Sequence, residues 1–228
     1  YHHKSVGGYS PAKLQRYQDL IDHNLSGEIN GIYRALQTAE TLSDVEAYLE
    51  NTPVLNMLNT RYVILAEDFQ PVVNPHAFGN AWFVDSVAVA SSPDEEIALL
   101  GETDPRRTAV LTAPLRVPAV QEDDAIVLSS YAPNELHYRY TSGSGGLAVF
   151  SEIYYPDGWK ATVDGEPLDL LRADWTLRAA VLPAGEHEVT MRFEPESYRI
   201  GAGVSRASSI SLILITLLAL GGVAAVRV

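Results

Sequence analysis

The sequence predicts a mainly β protein: an antiparallel β-sandwich of jelly-roll or immunoglobulin-like type, preceded by a short helical segment and followed by one C-terminal transmembrane helix. Three observations carry this. Between residues 61 and 198, short β-branched and aromatic runs recur with turn chemistry between them. Before residue 60, apolar residues recur at helical spacing. From Ala207 to Val226 there are 20 uncharged residues, 14 of them Ala, Val, Ile or Leu, bracketed by Arg206 and Arg227. The expected division is a helical lead-in over residues 1–60, an extracytoplasmic sandwich over 61–198 and a transmembrane helix over 204–228.

Taken in order, Ser10 and Pro11 are a helix start, and Leu14, Tyr17, Leu20, Ile21 and Leu25 give an amphipathic helix over residues 11–25. A second helix is expected near Ile29–Ala39. The Ser43-Asp44-Val45-Glu46 run reads as a capping box opening a third. The period then changes. Arg61–Ala66 reads as a buried strand and Ala81–Ala90 as another. Pro93–Leu100 reads as a helix capped by Ser92, its acidic first turn favoured by the helix dipole. Strands are expected at Thr108–Thr112, Ala125–Tyr131, Glu135–Thr141, Leu147–Tyr155, Trp159–Asp164, Trp175–Leu182 and His187–Phe193. Ala132-Pro-Asn134, Ser142–Gly146, Pro156-Asp-Gly158, Asp164-Gly165 and Pro183-Ala-Gly185 supply the turns. At about 1.5 Å per residue, the C-terminal run spans roughly 30 Å, the thickness of a bilayer core. Its flanking arginines do not orient it.

Charge is unevenly spread. Residues 66–198 carry 8 Lys or Arg against 22 Asp or Glu, whereas residues 199–228 carry 3 Arg and no acid. A pI near 4.8 without a basic stripe argues against nucleic acid as a partner. With no Cys, disulfides, thiolate zinc sites and a cysteine nucleophile are excluded. A 46% hydrophobic chain is too apolar to be disordered. The chain is expected to be part of a longer one.

Motifs for catalysis are missing. There is no Gly-x-Ser-x-Gly, P-loop, Gly-x-Gly-x-x-Gly or His-Glu-x-x-His. His2 and His3 have no third ligand at metal spacing, and Glu122-Asp123-Asp124 reads as a solvated turn. No catalytic, cofactor or metal residue is therefore expected. The aromatic density says more: residues 131–159 hold 7 of the chain's 20 aromatics. Aromatic rings can stack on sugar C–H faces while polar side chains bind the hydroxyls. Tyr155, Trp159, Lys160, Asp164, Arg172, Trp175 and Arg178 are the candidate carbohydrate platform. The other reading stays open: half of any strand faces inward, so the aromatics can fill the core.

Several long segments carry a family resemblance. They are Tyr1–Tyr9 with Ala12–Asp22, Leu55–Tyr62, Asn74–Phe83, Phe150–Trp159 and Leu182–His187. Together they resemble the C-terminal portion of YfhO-family bacterial membrane proteins, in the form common among Bacteroidetes. The resemblance implies a large multi-pass protein of the bacterial inner membrane, similar to GT-C glycosyltransferases that use a polyprenyl-phosphate sugar donor on the outer face. It implies a periplasmic placement for the sandwich. Its implied partners are the bilayer, the membrane-embedded N-terminal part of the same protein, and a glycan or glycolipid. The family's catalytic acid lies in an early loop that no position here matches, so no catalytic residue is carried over, and these residues alone are expected to be inactive.

Overall fold

The computed structural model describes residues 5–7, 12–65 and 70–226. The helical part begins with α1 (Gln15–Leu20), which passes through one π turn (Ile21–Leu25) into α2 (Ser26–Thr38). Two expected helices are thus one rod. The wider π turn, with its i→i+5 spacing, brings Leu20 and Leu25 to the same buried face. Ser10 and Pro11 lie outside the described residues. Helix α3 (Leu42–Tyr48) starts before the expected capping box. The cap is Thr41, whose N–H and hydroxyl both donate to the Asp44 carboxylate at 2.8 and 3.0 Å. Helices α2 and α3 touch at Gly31, where a Cβ would sit 2.1 Å from the Tyr48 hydroxyl oxygen, so a larger residue would displace the end of that side chain. Helix α4 (Pro53–Met57) receives its cap from a distance: Glu28 accepts the Val54 and Leu55 N–H groups, both at 2.8 Å.

A small hairpin, β1 (Tyr62–Val63) and β2 (Val72–Val73), follows. The expectation of a buried strand here is corrected: Tyr62, Ile64 and Val73 are exposed, because the hairpin joins neither large sheet. The expected strand over Ala81–Ala90 divides at Asp85 into β3 (Ala81–Val84) and β4 (Ser86–Val89), which enter different sheets. Asp85 fixes the break by accepting from Arg107 and from the Val120 N–H. Helix α5 (Pro93–Glu102) is capped by Ser92 as expected, and leads to β5 (Thr108–Leu111), which pairs parallel with β4.

The sandwich comprises β3 and eight further strands: β6 (Ala125–Ala132), β7 (Glu135–Ser142), β8 (Gly146–Ile153), β9 (Trp159–Val163), β10 (Glu166–Leu168), β11 (Leu171–Ala173), β12 (Leu177–Leu182) and β13 (Gly185–Phe193). One sheet has the order β10-β9-β13-β7-β6 and the other β11-β12-β8-β3, all antiparallel. Phe83, Ile126, Tyr138, Phe150, Leu182 and Met191 fill the space between them. The two sheets read differently in sequence for a physical reason. Strand β7 alternates inward Leu136, Tyr138, Tyr140 with outward His137, Arg139, Thr141, because its outer face meets water. Strands β3 and β8 run apolar without alternation, because the outer face of their sheet is also covered. Trp82, Val84, Leu147, Val149 and Leu177 there share one core with Leu20, Leu25, Leu49 and Met57 of the helices. The lead-in and the sandwich are therefore one packed unit.

From β13 the chain passes into α6 (Glu196–Val226), which starts at 196 rather than at 204. Its span Glu196–Leu217 has a mean hydropathy of 1.6 with none of its apolar window buried, and is long and apolar enough to cross a membrane.

Phe150 is fully buried, with its ring 4.9 Å from Tyr138 in an edge-on contact. Phe150→Ala is expected to cost about 3–5 kcal/mol of unfolding free energy, measured by chemical denaturation of the detergent-solubilised chain.

Candidate functional site

The seven candidate platform residues do not gather on one surface. Trp175 and Arg172 belong to the covered side of the four-stranded sheet. Trp175 is 6% exposed, donates its indole N–H to the Arg16 carbonyl at 2.7 Å, and lies under the Arg16 guanidinium at 4.1 Å. Arg172 donates to Glu96 and to the Trp175 carbonyl. Arg178 points between the sheets and is 3% exposed. Its Nε donates to the Ile153 carbonyl at 3.1 Å, and Trp159 covers its guanidinium at 3.8 Å. Burial lowers its pKa, opposed by the nearby Glu152. Asp164 lies at the other end of strand β9, in a turn. Only Tyr155 and Trp159 remain together, beside Phe193, while Lys160, the next residue of β9, is exposed and pairs with Glu194. The platform therefore divides between core and rim, as the alternation of strand faces demands.

Asp164 and Gly165 both have positive φ, 50° and 89°, and join β9 to β10 as a two-residue turn of the type that matches strand twist. The Asp164 carboxylate accepts the Glu188 N–H at 2.9 Å and His187 Nδ1 at 2.6 Å. His187 Nε2 faces the Ala184 carbonyl at 3.0 Å. An oxygen acceptor at each ring nitrogen favours the doubly protonated, cationic ring. The Asp164 and Ala184 contacts raise its pKa. An open groove of about 450 Å³ lies here, lined by Arg139, Thr141, Asp164, His187 and Glu188 among others. On the same outer face, Glu135 pairs with Arg192 and His137, and Glu188 with Arg139. Such exposed pairs are cross-strand ladders that hold register more than they bind.

The most constrained polar group is one that the sequence did not single out. Asp174 and Trp175 both adopt positive φ, 48° and 67°, in the loop from β11 to β12. A left-handed tryptophan is an outlier for so bulky a residue. It is held by its indole bond to Arg16, by Arg172 and by burial. Asp174 is fully buried: Oδ1 accepts the Val110 N–H at 2.7 Å, and Oδ2 has no hydrogen-bond partner among the described residues. Burial pushes its pKa up to about 7, against the Val110 bond and with help from Glu96. Glu96 itself is buried between Arg172 and Arg16. Burial also raises Glu28 to about 7, against its two backbone bonds.

Two buried asparagines and the partly buried Ser151 are tied to backbone. Asn56 donates to the Leu49 carbonyl at 2.8 Å, and Asn74 Nδ2 donates to Asn56 Oδ1 and the Thr60 carbonyl at 2.7 and 2.8 Å. The Ser151 hydroxyl lies 2.6 and 2.7 Å from the Met57 and Gly79 carbonyls. These residues lie in the Leu55–Tyr62, Asn74–Phe83 and Phe150–Trp159 segments and pin the 74–80 loop against β8. An Asn-Pro pair before a strand was the sequence signal that could have marked this loop. Among the described residues no three His, Cys, Asp or Glu side chains converge as a metal site. His2 and His3 lie outside the described residues.

A helix-backed β-sandwich joined to an apolar helix of this length fits a domain of a membrane protein. Residues 118–205 match the family described as bacterial membrane protein YfhO, a stretch that runs from before β6 into α6. Over that stretch the chain is similar to the family, in agreement with the resemblance carried by the Phe150–Trp159 and Leu182–His187 motifs within it. No curated protein and no solved structure matches the chain.

Folded Asp174 keeps its proton up to about pH 7, whereas an unfolded aspartate releases it near 4. The folded state thus binds more protons in that window, so stability falls as pH rises through it. In denaturation measured across that range, Asp174→Asn should flatten the slope; the same-signed contribution of Glu28 should remain. By NMR titration, His187 should titrate above its ordinary value of about 6.5 and return toward it in Asp164→Asn.

Proposed function

We propose that this chain is the extracytoplasmic C-terminal domain, with a final membrane helix, of a multi-pass envelope glycosyltransferase of the GT-C kind. In this reading the parent protein takes sugar from a polyprenyl-phosphate donor on the periplasmic side of the bacterial inner membrane. The sandwich stands over the catalytic membrane part and helps to position the acceptor, with no catalytic residue of its own.

The observation that supports this best is the continuity of the family match from the sandwich into α6, which ties a water-facing β domain directly to a membrane helix. The side-chain chemistry is consistent with a non-catalytic role. Of the acids with raised pKa, Asp174 is enclosed by the fold and bonded to a backbone N–H, and Glu28 is half-buried with both carboxylate oxygens taken by backbone N–H groups. A general acid must instead stand within reach of the reacting oxygen.

The full-length protein, supplied with polyprenyl-phosphate sugars and envelope acceptors, is expected to transfer sugar, and residues 1–228 alone are expected to transfer none. Absence of transfer by the full-length protein across a broad donor and acceptor panel would overturn the reading.

A further inference from the structure

The end of the sandwich from which α6 leaves differs in chemistry from the opposite end. Strand β13 runs toward it, so the β6–β7 turn and the β8–β9 loop lie there too. Two backbone bonds gather them around the exit: the Phe193 N–H donates to the Asn134 carbonyl at 2.9 Å, and the Glu194 N–H to the Gly158 carbonyl at 2.6 Å. Gly158, at φ 126°, is needed for this approach. A Cβ there would lie 2.8 Å from the Phe193 ring and 3.1 Å from Pro195.

Tyr131 and Tyr155, the two exposed aromatics of the sandwich strands and their loops, are both at this end, 46% and 40% exposed. Trp159 is half-buried there against Phe193, ring centres 5.4 Å apart, and Tyr198 follows in the first turn of α6. The opposite end is closed by the turns at 142–146, 164–165 and 183–185, made of Ser, Gly, Asp, Pro and Ala. The charges around the exit are mostly paired, Arg192 with Glu135 among them, with the exposed Asp157 beside Tyr155. Lys160 pairs with Glu194 and Arg199 with Glu196, unlike the strongly acidic remainder of the domain.

Tyrosine and tryptophan with an apolar body and a polar tip favour the headgroup level of a bilayer. The exit of α6 puts this end nearest the bilayer: the helix continues from β13 with only Glu194 and Pro195 between them, so when α6 crosses, the aromatic end is the end of the sandwich nearest the membrane. We propose that the aromatic end of the sandwich is a membrane-docking face, with Tyr131, Tyr155 and Trp159 seated among zwitterionic lipid headgroups. The mostly paired rim fits such headgroups better than an anionic ligand. The inference rests on α6 crossing the bilayer and is independent of the transferase reading.

The chain has no Cys, so a single introduced one takes a unique nitroxide label. Labels at Tyr155→Cys, at Ser144→Cys on the opposite end and at Leu214→Cys within α6 are compared in phosphatidylcholine vesicles. Collision with oxygen and with a water-soluble nickel chelate is measured for each. The expected result is oxygen access with loss of nickel access at 155 and 214, and full nickel access at 144. In brominated phosphatidylcholine the native fluorescence should be quenched, and Trp159→Phe should remove the lipid-sensitive part, since Trp82 and Trp175 are buried. Nickel access at 155 equal to that at 144, with 214 in lipid, would overturn the docking face alone. So would shielding of 155 from both reagents, which means a protein partner covers it. Nickel access at 214 would overturn both the docking face and the membrane reading of α6.

Discussion

A β-sheet that faces water on one side can alternate polar and apolar residues; a sheet covered on both sides cannot. In this protein the four-stranded sheet β11-β12-β8-β3 is covered on both faces, and the rest of the arrangement follows from that. One face meets the five-stranded sheet through Phe83, Phe150 and Leu182. The other meets α1–α4 and β5 through Trp82, Leu147, Val149 and Leu177. The helices exist because that second face needs a cover. Helices α3 and α4 are too short to be stable alone in water, and all four are held by what they bury.

Double coverage also explains the polar interior. Segments crossing the outer layer bring backbone groups away from water, and each needs a partner. Asn56, Asn74, Ser151 and Glu28 supply them. Arg16 and Arg172 neutralise Glu96 where α5 meets the β11–β12 loop. Arg178 has a comparable role at the end of the inter-sheet space, capped by Trp159. Arg172 and Arg178 are thus charges that the fold uses internally, which is why these two are not free to bind a ligand.

The strands of the sandwich were legible because turn residues punctuate them: Asp164-Gly165 joins the paired strands β9 and β10, and Pro156-Asp-Gly158 and Pro183-Ala-Gly185 mark where the chain crosses from one sheet to the other. The short strands β10 and β11 were not, since Glu166–Leu168 and Leu171–Ala173 have no period of their own and exist through their partners. The split at Asp85 depends on Arg107 and Val120, more than twenty residues away. The candidate platform was only partly legible for the same kind of reason. Composition marks aromatics and charges as near in sequence, but the pleat sends neighbours to opposite faces. Trp175 and Arg178, three residues apart, end up on opposite sides of one sheet. Nothing local marks Asp174, whose burial is decided by Val110.

By itself the sequence determined the fold class, the helix capped by Ser92, most strands of the sandwich, the apolar length of α6 and a family resemblance. These depend on local turn chemistry, on period and on the length of an uncharged run, all of which are written in consecutive residues. The tertiary structure alone decided that the helical lead-in and the sandwich form one unit, that Asp174 and Glu96 are buried together, and that the aromatic cluster divides between the core and the rim around α6. Those outcomes depend on which sheet faces are covered and by what, and coverage is a property of segments distant in the chain.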